Sequence, residues 1–566
     1  RSRHGVRHIC SLGAVAVRSR YLSEFGKMLL QLQKVGLILL QLFAGSEKMQ
    51  PMMKPKVVSM SVIKDSLIQH GTHHFRFEYP GEDAPGASPS PSDTPWNGFA
   101  VRRGYAFNVS IEVNAEVDCS VEFFRFQSAS LQDQRFKVVR CHGKDTRRKS
   151  QDDSFFYVVE VTTSVLDPIA RYNDITVSAG GDDERFQYGY PFPVYVLFNP
   201  YNPEDTSAYC PDKHFRKNYL EEESSVYFQG DISNVDIDHW YYAQYEPVML
   251  EASFDLLATY NKDTSNYTLE DPKMAVRHIL KTIGYWTEAK PAQGNPHGIL
   301  NGHWFDEDFS GGVNPDDWVS SFDIVDKWYK MGKTPVNYGQ CWVFAAVGRS
   351  LFASLGLVSR QISGYSTTVD GSVTQYTDGL EAHTFGDGKS HHIVAFFMDE
   401  SGKMRFQWGM VWNFHSWAEV YINEPSEGKK YDGWHISDPT LPGEGPMPTK
   451  AVHDLVEDYD FDSTSFIGDV KSTLVYQLVK CLPEVDEHKL PANTTTCPTV
   501  KTLKVNARGC PLLLTSSDHN PQIQMEITAS YANHSVDGFV PLPGGVKPYP
   551  EAMAEASLDH PDAKAG

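Results

Sequence analysis

The stretch Tyr338-Gly339-Gln340-Cys341-Trp342-Val343-Phe344-Ala345-Ala346-Val347 decides how the rest of the chain is interpreted. Gly332 and Pro335 break the chain just before it. After Cys341, apolar residues recur at helical spacing up to Gly356, which stands where a helix C-cap is expected. The pattern therefore predicts Cys341 in the first turn of an apolar helix, where unpaired backbone N–H groups favour a thiolate. A small, buried and inert cysteine is the alternative interpretation.

A nucleophilic thiolate needs a base, and the base needs a group that orients it. The stretch Met404–Ile422 alternates as a strand, and His415 lies on the face opposite to Phe414. Further on, Asp438 ends a short strand that a proline terminates, so a carboxylate stands where it can hold an imidazole. Each residue alone also fits an ordinary role, a paired strand histidine or a turn aspartate. Together with Cys341 they form a candidate acyl-transfer triad.

Three segments, in this chain order, resemble the signature segments of the animal transglutaminases: Tyr338–Ala345, Val411–Trp417 and Gly433–Thr440. The segment around Trp304 and the segment Val194–Asp205 are also similar to that family. The similarity runs from about Lys54 to about Val479. Over this range the chain resembles an invertebrate-like protein-glutamine gamma-glutamyltransferase. Long matches in the right order are far more specific than a single motif.

The resemblance implies a multidomain chain with an all-β N-terminal sandwich at residues 54–198 and an α+β papain-like core at residues 199–480. Residues 1–53 match nothing in the family, and residues 481–566 are interpreted as a linker with a degenerate or truncated C-terminal segment. The two C-terminal β-barrels of the family are therefore expected to be absent or truncated. Independently of the resemblance, 566 residues are too many for one core, and short alternating strands before residue 198 favour a sandwich.

The same resemblance implies an acyltransferase that joins glutamine and lysine side chains by isopeptide bonds, through a Cys341 thioester and with release of ammonia. His415 would act as acid and base, and Asp438 would fix its tautomer. Trp304 would donate its indole N–H to the oxyanion, and Trp304 and Trp412 would wall the amine tunnel. Since strict alternation puts Trp412 and His415 on opposite faces, a bulge or bend is expected between them. The implied partners are proteins with accessible glutamine and lysine, or primary amines.

Calcium is where the sequence departs from the family pattern. Asp370 matches one family ligand position, although it also fits a turn residue on its own. Gly409 stands where the partner aspartate is expected, and Lys471 stands near the position of a main-site asparagine. Because Ca²⁺ prefers carboxylate and carbonyl oxygens, we expect weak calcium binding or none at the usual main site.

Two other functions remain open. A glutamine deamidase or thiol hydrolase would use the same triad but deliver the acyl group to water. A catalytically weak structural scaffold of the same fold would explain the missing calcium ligands and barrels. Whether amine or water captures the thioester separates the first two functions, and loss of activity in Cys341→Ala separates both from the scaffold.

Composition limits the compartment and the partners. The formal net charge of -21 argues against nucleic acid and anionic membrane surfaces. The eight cysteines show no metal-ligand spacing, so mostly free thiols are expected, with Cys119–Cys141 as the one candidate disulfide. The segment Met28–Ser46 fits a signal peptide, but its apolar run is too short to span a membrane. A translated leader or an amphipathic tail is the preferred interpretation, and the chain is expected in the cytoplasm or released outside the cell.

Overall fold

The computed structural model describes residues 55–77, 97–128, 136–144, 154–180, 187–231, 234–261, 269–304, 308–368, 373–375, 385–386, 391–398, 404–407, 411–441, 443–454, 456, 459, 473–480, 507–508 and 512–531. At residues 231, 260, 261, 366, 368, 373–375, 385–386, 391–398, 404–407, 411–413, 473–480 and 507–508 only the backbone is described. The predictions for Met28–Ser46, Asp370, Gly409 and Lys471 concern positions outside these residues.

Short strands separated by turns build the first part of the chain. They are β1 Val57–Val62, β2 Phe99–Arg102, β3 Phe107–Val113, β4 Phe124–Ser128, β5 Lys137–Lys144, β6 Phe155–Thr162, β7 Ala170–Tyr172, β8 Ile175–Ala179, β9 Tyr188–Gly189 and β10 Val194–Leu197. Three sheets result, with strand orders β1-β3-β6-β5, β2-β10-β7 and β4-β8-β9. Alternate side chains from all three meet in one apolar cluster, for example Val109, Val177 and Val196. The predicted β-sandwich is confirmed.

The predicted disulfide forms within this sandwich. Cys119 is bonded to Cys141 of β5, and their Cα atoms are 5.6 Å apart, in the usual range for a disulfide. Among the cysteines that the structure describes, Cys210 and Cys341 are free and buried. The one pair singled out from the sequence is therefore the pair that is bonded, and the other two described cysteines are free as expected.

The second part of the chain surrounds one buried helix, Cys341–Ser354, here called the central helix. All of its residues are buried, as expected for a helix that is apolar on every side. It ends as predicted, because Gly356 adopts a left-handed φ of 96° just after the last turn. Other α-helices in the described part of the chain are Lys213–Arg216, Pro247–Asn261, Pro272–Thr282, Ser321–Lys330, Thr449–His453 and Thr528–Tyr531. Short 3-10 or π segments lie at Lys64–His70, Thr72–His74, Lys217–Glu221, Pro315–Asp317 and Pro425–Glu427.

Strands of four further sheets complete this α+β core. They are β11 Ser224–Asp231, β12 Asn234–Tyr241, β13 Gly284–Trp286, β14 Gln293–Gly294, β15 Leu300–Gly302, β16 Val336–Gly339, β17 Ser359–Thr368, β18 Val373–Gln375, β19 Phe385–Gly386, β20 His391–Met398, β21 Met404–Gln407, β22 Val411–Ile422, β23 Gly433–Asp438, β24 Glu444–Pro448, β25 Thr473–Lys480, β26 Ala507–Arg508, β27 Leu512–Ser516 and β28 Gln524–Glu526. The sheet in the order β24-β23-β22-β17-β27-β28, here called the core sheet, packs on the central helix. The other strand orders are β11-β12, β14-β13-β15-β16 and β18-β21-β20-β25-β26, with β19 beside β20.

The prediction of one continuous strand over Met404–Ile422 is wrong. The structure has two strands there, β21 and β22, and they belong to different sheets. Of the bulge or bend expected between Trp412 and His415, a bulge is not found, because β22 pairs with β17 in constant register from Val411 to Val420. A bend there stays a prediction. Alternating apolar residues predict that a segment is extended, but they do not show which strand it pairs with or where the partner changes.

The last described segment of the chain joins the core sheet. Strand β27 runs antiparallel to β17, with Ser363 opposite Leu514. Tyr531 follows in a short helix, and its hydroxyl donates to the buried carboxylate of Glu419 on β22. Strand β17 therefore has β22 on one side and β27 on the other.

A buried ion pair links the sandwich to the core at the predicted junction. The Arg103 guanidinium donates to both carboxylate oxygens of Asp205, at 2.7 and 2.6 Å, and Asn199 donates to the Arg103 carbonyl oxygen. Because two parallel hydrogen bonds form, such a bidentate pair fixes the orientation of the guanidinium relative to the carboxylate as well as their separation. The domain boundary at residues 198 and 199 itself stays a prediction. Within the described part of the chain, no helix is both long and apolar enough to cross a bilayer.

Candidate active site

Cys341 is the first residue of the central helix, directly after strand β16 and the N-cap residue Gln340. Its side chain is buried, with 1% of the residue exposed. The Gln340 side chain donates to the backbone oxygen of His303 at 2.9 Å and so ties the start of the helix to the end of β15. The first N–H groups of a helix have no partner within it, so the sulfur lies where a negative charge is stabilised.

His415 and Asp438 form a close pair beside this cysteine. His415 Nε2 lies 2.6 Å from Asp438 Oδ2, and both side chains are about nine-tenths buried. Burial alone would lower the pKa of His415, but the Asp438 carboxylate and a hydrogen bond with Cys341 raise it well above its usual value. Since Nε2 binds the carboxylate, Nδ1 is the ring nitrogen that can exchange a proton with the sulfur. The three residues predicted as a triad are therefore brought together.

The position of Asp438 is set by its own turn and by the central helix. Asp438 is the last residue of β23, and its second oxygen accepts the Thr440 N–H at 2.8 Å. The next residue, Pro439, packs on Gly348 of the central helix, where an added Cβ would come within 3.1 Å of the proline ring. The helix that carries the cysteine thus lies directly against the strand that carries the carboxylate.

Gln361 joins the two elements that carry Cys341 and His415. Its side-chain nitrogen donates to the Trp342 carbonyl at 3.1 Å and to the Ser416 hydroxyl at 3.0 Å. Its side-chain oxygen accepts from the Tyr242 hydroxyl at 3.2 Å. One buried amide therefore holds the residue that follows Cys341 and the residue that follows His415.

Trp304 lies just after β15 and offers a free donor. Its indole Nε1 is buried, and among the described residues it has no hydrogen-bond acceptor. The ring stacks on Phe344 of the central helix, with centroids 6.0 Å apart and planes at 15°. The Trp342 indole N–H is a second buried donor with no acceptor in the described part of the chain. Unpaired buried donors are costly, and donors of this kind suit a transient oxyanion.

The remaining candidates from the sequence are Trp412 and Asp370. Trp412 lies in β22, but only its backbone is described, and Asp370 lies outside the described residues. Their roles in the amine tunnel and in calcium binding stay predictions. The described residues contain no group of three or more His, Cys, Asp or Glu side chains arranged to hold a metal.

Sequence reasoning missed Gln361, and it missed the contact between His303 Nδ1 and the Glu288 carboxylate beside Trp304. A polar residue in the core leaves no periodic signal, because apolar periodicity marks only the faces that pack. His303 stands next to a residue singled out from the sequence, and that adjacency was the one available clue.

Residues 323–439, which hold Cys341, His415 and Asp438, match the family described as the transglutaminase-like superfamily. Among curated proteins, the chain is 27% identical over 345 residues to protein-glutamine gamma-glutamyltransferase 2 of Gallus gallus, covering 58% of this chain and 46% of that one. It is 29% identical over 328 residues to protein-glutamine gamma-glutamyltransferase E of Bos taurus, covering 55% and 43%. The chain spans about half the length of the curated relatives it matches.

The solved structure of red sea bream transglutaminase is similar in fold to this chain. The match has a TM-score of 0.58 at 19% identity and covers 90% of this chain and 68% of that one. At this identity the similarity concerns the fold, a β-sandwich followed by an α+β core.

Proposed function

Since this chain belongs to the transglutaminase-like superfamily, we propose that it is a protein-glutamine gamma-glutamyltransferase that forms isopeptide crosslinks. The observation that carries the proposal is the His415–Asp438 pair at 2.6 Å, beside Cys341, which together with Asp438 raises the pKa of His415. The names of the curated relatives support acyl transfer as the type of reaction. The roles of the individual residues are our inference.

In the first half-reaction, the Cys341 thiolate attacks the γ-carbonyl carbon of a protein-bound glutamine. The carbonyl oxygen becomes an oxyanion, which the Trp304 indole N–H and the Cys341 backbone N–H would stabilise. His415, held as an imidazolium by Asp438, gives its proton to the departing nitrogen. Ammonia leaves, and a thioester to Cys341 and a neutral imidazole remain.

In the second half-reaction, a lysine amine attacks the thioester carbon and His415 takes a proton from the attacking nitrogen. The C–S bond breaks, and the isopeptide bond and the Cys341 thiolate are formed. Water is the competing nucleophile, and an apolar, enclosed site favours the amine over water. Burial of Cys341 and His415 supports this outcome.

Calcium enters this proposal only as a family expectation. The residues that would test it, Asp370 and Lys471, lie outside the described part of the chain. Among the residues that the structure describes, no three or more His, Cys, Asp or Glu side chains are grouped to hold a metal ion, and none of the steps above is derived through calcium. If Ca²⁺ binds, it would do so through carboxylate and carbonyl oxygens such as that of Asp370.

The decisive experiment is incorporation of a fluorescent primary amine into a glutamine-rich protein, with and without calcium. We expect incorporation by the wild-type chain and none by Cys341→Ala. Cys210→Ala is the matched control, because Cys210 is also free and buried, and burial raises the pKa of its thiol to about 12. Ammonia release without amine incorporation would instead indicate a deamidase. An inert wild-type chain with normal folding would favour a structural scaffold.

A further inference from the structure

The Trp304 indole is confined on three sides. Gly302 leaves the space that the ring occupies, because a Cβ at that position would overlap the six-membered ring. Phe344 stacks on one face, and Trp286 of β13 meets the indole edge-on, with centroids 5.2 Å apart and planes at 78°. Gly302 and Phe344 set the plane of the ring, but Trp286 is itself only half-buried and needs its own support.

Glu288 supplies that support through its two carboxylate oxygens. One oxygen pairs with His303 Nδ1, and the other accepts the Trp286 indole N–H at 3.4 Å. These two partners flank Trp304: Trp286 packs against its ring, and His303 precedes it in the chain. The Glu288 side chain is 25% exposed, and that of His303 is 6% exposed, so this contact lies at the edge of the core.

His303 connects this carboxylate to the start of the central helix. Its ring packs between Tyr338, at 4.6 Å, and Phe309, at 5.2 Å. Its backbone N–H donates to Gly339, and its carbonyl accepts from the Gln340 side chain. The residue before Trp304 is therefore fixed both by Glu288 and by the residues that directly precede Cys341.

We propose that Glu288 is a positioning residue that sets the orientation of the Trp304 indole through His303 and Trp286. The proposal rests on the proposed function, in which Trp304 donates to the oxyanion. An oxyanion donor accelerates a reaction only if it is already aimed at the developing charge, and small displacements of such a group are costly. Glu288 touches neither the substrate nor the sulfur, and it acts on the rate through Trp304.

The experiment compares Glu288→Leu, which keeps the size but loses both interactions, with Glu288→Gln. The amide in Glu288→Gln can accept the Trp286 N–H and donate to a neutral His303 ring, so this variant should restore most of the rate. We expect Glu288→Leu to lower kcat for amine incorporation about tenfold, part of the hundredfold or more for a lost oxyanion donor. KM for the glutamine substrate should stay unchanged. Glu160→Leu is the matched control, because Glu160 pairs with His142 on the sandwich and is 29% exposed.

Coupling to Trp304 is tested with a double variant. If Glu288 acts through the indole, Trp304→Ala with Glu288→Leu should be no slower than Trp304→Ala alone. Additive losses would overturn the proposal, as would an equal loss in Glu160→Leu or a loss of rate in Glu288→Leu that Glu288→Gln does not restore.

A second readout is independent of activity and so separates failure of this inference from failure of the proposed function. The protein is labelled with 5-fluorotryptophan, and the Trp304 resonance is assigned by its loss in Trp304→Phe. We expect the ¹⁹F shift or line width of that resonance to change in Glu288→Leu and not in Glu160→Leu. An unchanged Trp304 resonance would overturn the positioning role, and an inert wild-type chain would overturn only the proposed function.

Discussion

At the scale of single residues, His415 has the clearest electrostatic consequence. Asp438 and Cys341 raise the pKa of this imidazole well above its usual value despite its burial. In Asp438→Asn the attraction of the carboxylate is lost, so the pKa of His415 should fall and the imidazolium should lose its proton at lower pH. We expect the upper pH limit of amine incorporation to shift downward and kcat to fall by several orders of magnitude. The measurement is the pH dependence of kcat, with the exposed carboxylate variant Asp454→Asn as control.

The same pair also makes stability depend on pH. A folded pKa above the unfolded value means that the pair stabilises the native state fully below about pH 6.5. This contribution should be lost as the pH rises through the raised folded pKa of His415. The wild-type chain should therefore lose more stability than Asp438→Asn over that interval in urea titrations. Parallel curves for the two proteins would contradict this account.

Gly302 provides a steric prediction at the same scale. A methyl group at this position would overlap the Trp304 ring, and the ring must move because a rigid indole cannot bend away. We expect Gly302→Ala to cost about 1–3 kcal/mol of unfolding free energy and to lower kcat more than it changes KM. Gly189→Ala is the control, since an added Cβ there meets no atom within 4 Å. Wild-type kcat in Gly302→Ala would indicate that the Trp304 orientation does not matter.

At the scale of elements, the attachment of the Thr528–Tyr531 helix to the core sheet can be tested. The Tyr531 hydroxyl donates to Glu419 and accepts the Trp417 indole N–H at 3.2 Å. Trp417 in turn lies 5.7 Å from the His415 ring. Because Tyr531→Phe leaves two buried polar groups without this partner, it should lower the unfolding free energy by about 1–3 kcal/mol. Urea denaturation measures the change.

Tyr188→Phe is the control for that experiment, since Tyr188 lies in the short strand β9 of the sandwich and is only half-buried. It should change the unfolding free energy by less than about 0.5 kcal/mol. Equal effects of the two substitutions would show that the attachment of the C-terminal segment contributes little.

The elements also show what local sequence can and cannot predict. The central helix and the strand that ends at Asp438 were predicted because periodicity, glycine and proline mark their limits locally. The division between β21 and β22, and the pairing of β27 with β17, depend on partners distant in sequence. Gln361 was not predicted for the same reason, because its function lies in three partners from separate elements. Trp304 was identified by family resemblance, whereas its support by Glu288 required coordinates.

At the scale of the whole molecule, calcium dependence is the property that most needs measurement. We expect weak binding or none at the family's usual main site, since Lys471 stands near the position of an expected asparagine. Amine incorporation should then persist in full under strong chelation. Isothermal titration calorimetry on the full chain provides the direct test, with Asp370→Asn as the variant. Tight, stoichiometric binding that involves the Lys471 region would contradict the expectation.

The buried Arg103–Asp205 pair indicates that the sandwich and the core resist separation. Removing one partner of a buried ion pair leaves the other charge uncompensated, at a cost of about 3–5 kcal/mol. The two regions are therefore expected to unfold together, as one cooperative transition.

The placement of strand β27 has a consequence for synthesis on the ribosome. A nascent chain that has emerged only to residue 480 already contains the cysteine, the histidine and the aspartate, but the outer edge of β17 still has no neighbour from Leu512–Ser516. Open strand edges recruit other strands, so translational pausing at this stage exposes the growing chain to pairing with foreign polypeptides. A chain truncated between β26 and β27 should accordingly be insoluble, even though it contains Cys341, His415 and Asp438.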